Sequence, residues 1–404
     1  MKEKEKNEVS LRRFGVTFVW LASFASLFIA TGLASAHEVE ARLGQFQRIK
    51  RTMEFGRTGH VLSQLPDGKI LVAGGAWGDF GGEPVAEVFD PVKATFRSLP
   101  SRLTNPRSGA PQITFADGKM MLLGGSSDFE LALRSSDVFD PVSGEFTVGP
   151  EMSKDRSGHS ATLLPDGRVL VVGGQGTGDC VHDTIEILNP TNGTFELLPQ
   201  TLLIPRMNHT ATLIDGKRLL IAGGETGSSC ESDVGENEFL ASAEIINLQN
   251  MSSEPVLSQM NEPRLYHTAT PLKDGRILFA GGLKITAVTV QNLEIFDTAK
   301  MEFSSVGSLL VSRALHASIP LPNGEILVTG GVSDGIPQVS AERCAPLEEK
   351  FVCRSAGQMS TPRWQMSSLL MSDGRAMIVG GLTNKIEPGQ KRSGPSRSIE
   401  IFNP

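Results

Sequence analysis

Seven arginines and seven acidic residues recur along the sequence in a fixed order. Each arginine stands 17 residues before a Gly-Gly pair, and each acid follows that pair after a stretch of variable length. The arginines are Arg57, Arg107, Arg156, Arg206, Arg264, Arg313 and Arg363, and the acids are Glu87, Asp137, Glu186, Glu244, Glu294, Glu342 and Glu400. Guanidinium groups bind carboxylates and phosphates through paired hydrogen bonds. A ring of arginines would bind an anionic ligand, whereas seven ion pairs would be structural. We favour the structural interpretation because every copy carries the same two residue types.

Five histidines follow an arginine by three residues, and this repetition favours packing over metal binding. They are His60, His159, His209, His267 and His316. A metal site needs three or four ligands that converge on one point, whereas equivalent residues of separate copies point at separate interfaces. His182 stands outside this pattern, beside Asp179 and Asp183, but no second histidine-bearing loop completes a set with it. We therefore predict no metal site and no cofactor.

Four cysteines stand where disulfide bridges would fit. Cys180 and Cys230 each lie seven residues after the first glycine of their Gly-Gly pair, in neighbouring copies of the repeat. Cys344 and Cys353 flank a turn in the sixth copy. Disulfides form in exported proteins, so 180–230 and 344–353 are the candidate bridges. Of the two, we favour the 344–353 bridge within one hairpin.

The elements that must position these residues are four short strands in each copy. The Gly-Gly pairs begin at Gly74, Gly124, Gly173, Gly223, Gly281, Gly330 and Gly380. The first strand runs from the arginine to an Asp-Gly or Asn-Gly pair, which predicts a type I′ turn. The second is an apolar run that suits a strand buried on both faces. The third begins at the acid, and the fourth carries a phenylalanine in six copies: Phe46, Phe96, Phe146, Phe195, Phe303 and Phe351, with Ser253 in the remaining one. Repeats of about fifty residues with four strands are typical of propeller blades.

This pattern resembles the kelch repeat, through the arginine-started strand, the double glycine and the acid-led third strand. The resemblance covers roughly residues 44–404 and departs only in the fourth strand, where kelch repeats usually carry tryptophan. It implies an all-β, seven-bladed propeller with the first strand of each blade innermost. Gln45–Arg48 forms a lone fourth strand, and the chain ends at Pro404 after a third strand. We therefore expect the N-terminal strand to complete the last blade, which removes two open sheet edges.

One local match concerns galactose oxidase, a kelch-type propeller enzyme. The segment Arg264-Leu265-Tyr266-His267 resembles the Tyr-His pair through which that family holds copper. The family's chemistry also needs a second tyrosine, and Tyr266 is the single tyrosine of this chain. We therefore expect that the protein is not a copper-radical oxidase.

The N-terminus and the overall charge concern location and partners. Residues 1–36 contain Arg12 and Arg13, an uncharged stretch and small residues before His37, which is typical of an export signal. The stretch is also long enough for an uncleaved membrane anchor. We expect a propeller over 37–404, exported to the periplasm or the extracellular space as a monomer. With 38 basic and 45 acidic residues, the chain lacks the positive excess of a nucleic-acid binder.

The strand order places all the variable loops on one face of the propeller. We call this the loop face; it carries the second-to-third loops and the connections between blades. Loop one holds Trp77 and Phe80, loop four is acidic, and loop seven is basic. Function concentrates on variable loops held by a rigid scaffold. We predict a non-catalytic binding or protein-interaction module for a protein or carbohydrate ligand. The alternative is a carbohydrate-active enzyme, a mutarotase, epimerase or lyase acting on an acidic sugar through arginines and acids at the channel mouth.

Overall fold

The computed structural model describes residues 44–76, 84–127, 131–230, 237–284, 288–386 and 393–404. Trp77, Phe80 and the candidate export signal over residues 1–36 lie outside these ranges, as do Lys391 and Arg392 of the basic loop seven. Strands and turns make up the described ranges, which contain no helix. Accordingly, nothing in them is a helical segment with the length and apolarity to cross a membrane.

The described residues form seven antiparallel four-stranded sheets, the blades of a β-propeller. The first strand in the chain is β1 (Gln45–Arg48). Blade one contains β2 (Thr58–Gln64), β3 (Ile70–Ala76), β4 (Val85–Asp90) and β5 (Thr95–Arg102). Blade two contains β6 (Gln112–Thr114), β7 (Met120–Leu123), β8 (Ser136–Asp140) and β9 (Glu145–Val148). Blade three contains β10 (Ser160–Leu163), β11 (Val169–Val172), β12 (Thr184–Asn189) and β13 (Thr194–Thr201).

Blades four to seven carry an additional two-stranded hairpin between their second and third blade strands. Blade four has β14 (Thr210–Ile214), β15 (Arg218–Ala222), the hairpin β16 (Glu225–Thr226) and β17 (Glu238–Phe239), then β18 (Ala243–Asn247) and β19 (Ser253–Pro255). Blade five has β20 (Thr268–Pro271), β21 (Ile277–Ala280), the hairpin β22 (Leu283–Lys284) and β23 (Val288–Thr289), then β24 (Asn292–Asp297) and β25 (Glu302–Ser308). Blade six has β26 (Ala317–Pro320), β27 (Ile326–Thr329), the hairpin β28 (Val332–Ser333) and β29 (Ile336–Pro337), then β30 (Ser340–Leu347) and β31 (Lys350–Gln358). Blade seven has β32 (Ser367–Leu370), β33 (Ala376–Val379), the hairpin β34 (Leu382–Thr383) and β35 (Gly394–Pro395), and then β36 (Ile399–Asn403).

The apolar second strands form the core because their two faces pack against two different blades. In β3, Leu71 lies in a cluster with Leu122 of blade two, whereas Val72 lies in a cluster with Val379 of blade seven. Strands buried on both faces lose the polar alternation of a half-exposed sheet and become continuous apolar runs. The sequence-based prediction of a strand buried on both faces is therefore confirmed.

The ring closes through the N-terminal strand, as predicted. The last sheet has the order β1-β36-β33-β32, and β1 pairs antiparallel with β36 from Gln45 opposite Asn403 to Arg48 opposite Glu400. The rings of Phe46 and Phe402 pack with their centroids 5.0 Å apart. The fourth-strand phenylalanine thus packs against a third-strand phenylalanine in blade seven as it does in blade one, where the ring centroids of Phe96 and Phe89 are 4.9 Å apart.

The turns between first and second strands differ from the prediction of type I′ geometry. In blade one, Gly68 has a φ of 81° and donates to the carbonyl of Leu65, but Asp67 keeps a negative φ. This is the three-residue loop in which a type I turn is followed by a left-handed glycine. The Asp67 carboxylate accepts the Lys69 N–H and thereby stabilises this conformation. Among the seven turns, only that of blade four has both residues at positive φ, Asp215 at 50° and Gly216 at 69°.

Candidate functional site

Each repeated arginine is buried inside its own blade, and its guanidinium group is bonded in several directions. Arg156 is 0% exposed and donates from Nε and Nη2 to Glu186 Oε1 at 3.1 and 2.9 Å. Its Nη1 donates to the carbonyls of Gly173 at 2.7 Å and Thr184 at 3.2 Å. The 17-residue spacing between arginine and Gly-Gly is therefore the spacing of this bond, which recurs in all seven blades.

The repeated acids complete the same construction. All seven form ion pairs with the arginine of their blade, at 2.6–3.0 Å for six of them and also between Arg264 and Glu294. Each acid also accepts a backbone N–H from the chain segment before its arginine, as Glu186 does from Ser153 at 2.5 Å. Buried charges are retained where they are paired and hydrogen-bonded. The geometry thus gives the arginines and acids a structural role and gives no support to an anion site built on them.

The Gly-Gly pairs connect neighbouring blades. The second glycine of each pair donates its N–H to the carbonyl of the arginine in the next blade, at 2.7–3.0 Å, including Gly381 to Arg57 across the closure. A Cβ on Gly223 would lie 2.7 Å from Cε1 of His267 in the next blade, and one on Gly224 would lie 3.0 Å from Cβ of His209 in its own blade. Both glycines also have positive φ, at 64° and 92°. A side chain at Gly223 would collide with the His267 ring, and one at Gly224 would collide with the Met207 carbonyl oxygen.

The repeated histidines are buried and neutral. Burial, together with a nearby arginine, lowers the pKa of His60, His209, His267 and His316 to about 3. Three of the rings contact a hydroxyl group of the preceding blade through Nε2: His209 with Ser160, His267 with Thr210 and His316 with Thr268, at 2.9–3.1 Å. These histidines are packing residues between blades.

Seven residues, each two positions after a repeated arginine, form an inner ring where the first strands of neighbouring blades meet. Its members are Gly59, Gly109, Gly158, Asn208, Tyr266, Leu315 and Gln365, and all have a positive φ between 52° and 65°. Backbone bonds connect neighbours, for example from the Asn208 N–H to the Gly158 carbonyl at 2.7 Å and from the Gly59 N–H to the Gln365 carbonyl at 3.3 Å. Non-glycine residues adopt this conformation rarely and at a cost. The backbone is thus seven-fold repeated here, but the side chains are not.

The side chains of blades four and five form the candidate site, which consists of Asn208, Tyr266 and Glu225. Asn208 Nδ2 lies 3.5 Å from Tyr266 Oη. Glu225, the first residue after the Gly-Gly pair of blade four, pairs with Phe239 in the β16–β17 hairpin. Burial raises the pKa of Glu225, and burial followed by the charge of Glu225 raises the pKa of Tyr266. The backbone of Glu225 is hydrogen-bonded to Met207, the residue before Asn208, at 2.9 Å in both directions. An acid, a phenol and an amide are therefore brought together on the loop face.

The chain shares its fold with a fungal alcohol oxidase. The solved structure is that of a novel fungal alcohol oxidase with catalytic diversity among the AA5 family, in complex with copper; its TM-score to this chain is 0.70. The alignment covers 90% of this chain and 76% of that chain at 18% sequence identity, so the likeness shows the fold. A 91-residue segment is 32% identical to tRNA wybutosine-synthesizing protein 4 of Saccharomyces cerevisiae. This segment is 22% of the present chain and 13% of the yeast protein. No protein-family model matches the sequence.

Copper does not fit the residues at the corresponding Tyr-His pair. His267 Nδ1 lies 3.0 Å from the Arg264 carbonyl and its Nε2 lies 3.1 Å from Thr210 Oγ1, so both ring nitrogens are engaged. Tyr266 is the single tyrosine of the sequence. Within the described ranges, the one group of potential metal ligands is Glu342, Cys344 and Cys353. Its cysteines form a disulfide and its glutamate pairs with Arg313.

Both candidate disulfides are formed. Cys344 and Cys353 are opposite each other on β30 and β31, with Cα atoms 4.0 Å apart. Cys180 and Cys230 have Cα atoms 4.7 Å apart and connect the loops of blades three and four. The backbone supports the second bridge, because Val181 N–H donates to the Ser228 carbonyl and Cys230 N–H to the Val181 carbonyl. His182 Nε2 contacts the Asp155 carbonyl at 3.1 Å and Cys230 Sγ at 3.7 Å, which places His182 beside this bridge.

Sequence reasoning missed Glu225 and Asn208 as members of a common site. The equivalent residues after the other Gly-Gly pairs are Ala76, Ser126, Gln175, Leu283, Val332 and Leu382, so Glu225 is the one charged residue at this position. An alignment of the seven copies against each other would have revealed this departure from the repeat. The proximity of Glu225 to Tyr266 could not have been read in this way, because it depends on how two blades meet.

Proposed function

We propose that the chain is an exported kelch-type propeller that acts as a monomeric, non-catalytic binding module and holds a protein or carbohydrate ligand on its loop face. The observation that carries this proposal is the asymmetry of the inner ring. Gly59, Gly109 and Gly158 leave one half of the ring without side chains, whereas Asn208, Tyr266, Leu315 and Gln365 fill the other half. A ligand site is distinguished from the scaffold by such unequal residues on an otherwise repeated frame.

Two further observations support the kelch and export parts of the proposal. The arginine, double glycine and acid of the repeat are joined by the bonds described above in all seven blades, which gives the sequence motif a common structural role. Two disulfides and no free cysteine among the described residues fit an oxidising compartment. In the proposed organisation, residues 1–36 serve as the export signal or as an uncleaved anchor, and 37–404 is the propeller.

The test has two stages. Neutral, acidic and amino sugars, with and without divalent metal ions, and a combinatorial heptapeptide library are screened for ligands that raise the melting temperature. Hydrogen exchange then locates each ligand. We expect protection of loop-face segments such as 224–230 and 237–242, and unchanged exchange at the opposite face, for example in the turn over 140–145. Failure of every class to bind, or protection confined to the opposite face, would show that the proposed function is wrong.

A second candidate is the carbohydrate-active enzyme, a mutarotase, epimerase or lyase, and Glu225 is the observation that favours it. A carboxyl group with a raised pKa is suited to general acid–base chemistry. Time-resolved NMR of freshly dissolved single sugar anomers and of uronic acids would detect interconversion or elimination. The enzyme hypothesis requires that the wild type turns over a sugar and that the Glu225→Gln variant does not. Equal rates with and without the protein would exclude these reactions for the sugars tested.

A further inference from the structure

We propose that the loop face recognises a ligand bearing a protonated amine or quaternary ammonium group, and that Glu225 and Tyr266 hold this cation. The inference rests on the proposed binding function and names its ligand class. It reverses the charge of the ligand that the arginine repeat led us to consider, because the structure buries the arginines and presents a carboxylate instead.

Glu225 has no partner for its charge among the residues that the structure describes. Within the ranges that the structure describes, no hydrogen-bond donor and no cation contacts its carboxylate, although the residue is partly buried. Two other acids of the loop face are satisfied: Glu262 pairs with Lys284 at 2.6 Å, and Asp334 accepts from the Thr289 N–H and hydroxyl. A partly desolvated carboxylate gains most from a cation that replaces its lost hydration.

Tyr266 supplies the second half of a cation site. A cation over the face of an aromatic ring is attracted by the ring quadrupole, and the attraction increases where water is excluded. Glu225 exchanges two backbone hydrogen bonds of 2.9 Å with Met207, the residue before Asn208, and Asn208 in turn contacts Tyr266, which is partly buried. Its backbone stands at a φ of 55°, and Asn208 contacts its hydroxyl group. The ring is therefore held in place before any ligand arrives, which lowers the entropic cost of binding.

The neighbouring part of the inner ring leaves room for the rest of a small ligand. A Cβ on Gly109 would meet no atom within 4 Å, so this position opens to free space. Asn208 lies against Gly158, where an added Cβ would be 2.7 Å from Asn208 Oδ1. The open side of the ring thus begins next to the residues that contact Tyr266.

Long-range charge also favours a cation. The net charge of the chain is −7, and the seven repeated arginines are neutralised by their paired acids. A negative surface potential raises the local concentration of cationic ligands and speeds their association.

The experiment is a ligand-observed NMR titration of the full chain with glucosamine, choline and N-acetylglucosamine. Glucosamine and N-acetylglucosamine share a sugar ring, but only glucosamine carries a cation, and choline carries a cation without a sugar. We expect glucosamine and choline to bind and N-acetylglucosamine to bind at least tenfold more weakly. Glu225→Gln should weaken choline binding at least tenfold, and Tyr266→Leu should weaken it by roughly 3- to 30-fold, the range of a cation–π contact.

Two controls separate binding from folding. Glu262→Gln removes an acid of the same face that already has a cation partner, and should leave choline binding unchanged. Tyr266→Leu places at this position the residue that blade six carries in the same left-handed conformation, Leu315 at a φ of 54°. Its melting temperature is therefore expected to stay close to that of the wild type.

The results also separate this inference from the proposed function. Equal binding of glucosamine and N-acetylglucosamine, or choline binding that survives Glu225→Gln, would overturn the cation site. If neither amine binds while another ligand class protects the loop face, the cation site is wrong and the binding module stands. If no class binds, both are wrong.

Discussion

The buried histidines show how a single side chain links packing to solution conditions. His60 and His159 have both ring nitrogens buried without a hydrogen-bond partner, so their role is to fill space between blades. In blade seven the equivalent residue is Met366, whose Cε lies against Gly330 in the same way that an imidazole lies against the first glycine of five other pairs. Methionine is thus an apolar replacement for histidine that the fold already contains.

We predict that acid destabilises the propeller through these histidines and that His60→Met reduces the effect. The pKa of His60 is about 3 in the folded protein, against the ordinary value of 6.5 that applies to the unfolded chain. The unfolded chain therefore binds more protons, so the stabilisation is complete above pH 6.5 and is lost as pH falls towards 3. Each such histidine contributes a loss of about 1.4 kcal/mol in unfolding free energy per pH unit within this window. Urea unfolding at pH 7 and at pH 4.5 measures the difference, and an unchanged pH dependence in His60→Met would contradict this account.

The buried ion pairs give a second prediction at the residue scale. Arg156→Met leaves Glu186 buried without its guanidinium partner, so we expect a loss of ~3–5 kcal/mol in unfolding free energy. The matched control is Arg276→Met, which breaks an exposed pair with Asp274 and should cost ~0–1 kcal/mol. Denaturant unfolding of the two variants measures both losses, and similar values would mean that burial does not determine the contribution of these pairs.

At the scale of elements, β1 is the strand that joins the two ends of the sheet ring. Loss of β1 would expose the edge of β36. It would also remove the half-buried ring of Phe46, which covers Phe402.

We predict that deletion of residues 37–50 lowers the melting temperature of the whole propeller, because an open edge and the adjacent core become accessible to water. Deletion of residues 1–36 is the control and should leave the melting temperature unchanged. Differential scanning calorimetry compares the two truncations. An unaltered melting temperature after removal of 37–50 would refute closure by β1.

The two disulfides belong to the same scale and differ in accessibility. Cys344 and Cys353 are buried, at 0% and 9% exposure, whereas Cys180 and Cys230 are only partly buried at the loop face. We predict that a mild reductant opens 180–230 first. Alkylation followed by peptide mapping identifies the order, and earlier labelling of Cys344 or Cys353 would contradict it.

At the scale of the whole molecule, the sequence was sufficient for the blade number, the strand order and the closure. These features follow from a short-range pattern repeated seven times, so an ambiguous copy can be interpreted by comparison with the other six. The type I′ prediction was wrong for six of the seven turns; in blade one, Asp67 accepts the Lys69 N–H, which favours a type I turn. Glu225 and Tyr266 were not recognised as a pair because a contact between blades has no signature in the spacing of either residue.

The pairing of Gln45 with Asn403 also governs how the molecule is made. These two residues are almost a full chain length apart, and such contacts form late because the entropy of a long loop must be overcome first. Ribosomes deliver a chain from its N-terminus, so β1 emerges before the other strands and cannot pair until β36 has been synthesised. Closure of the ring therefore depends on the strand that was synthesised first. A chain terminated before β36 cannot form the four-stranded sheet of blade seven.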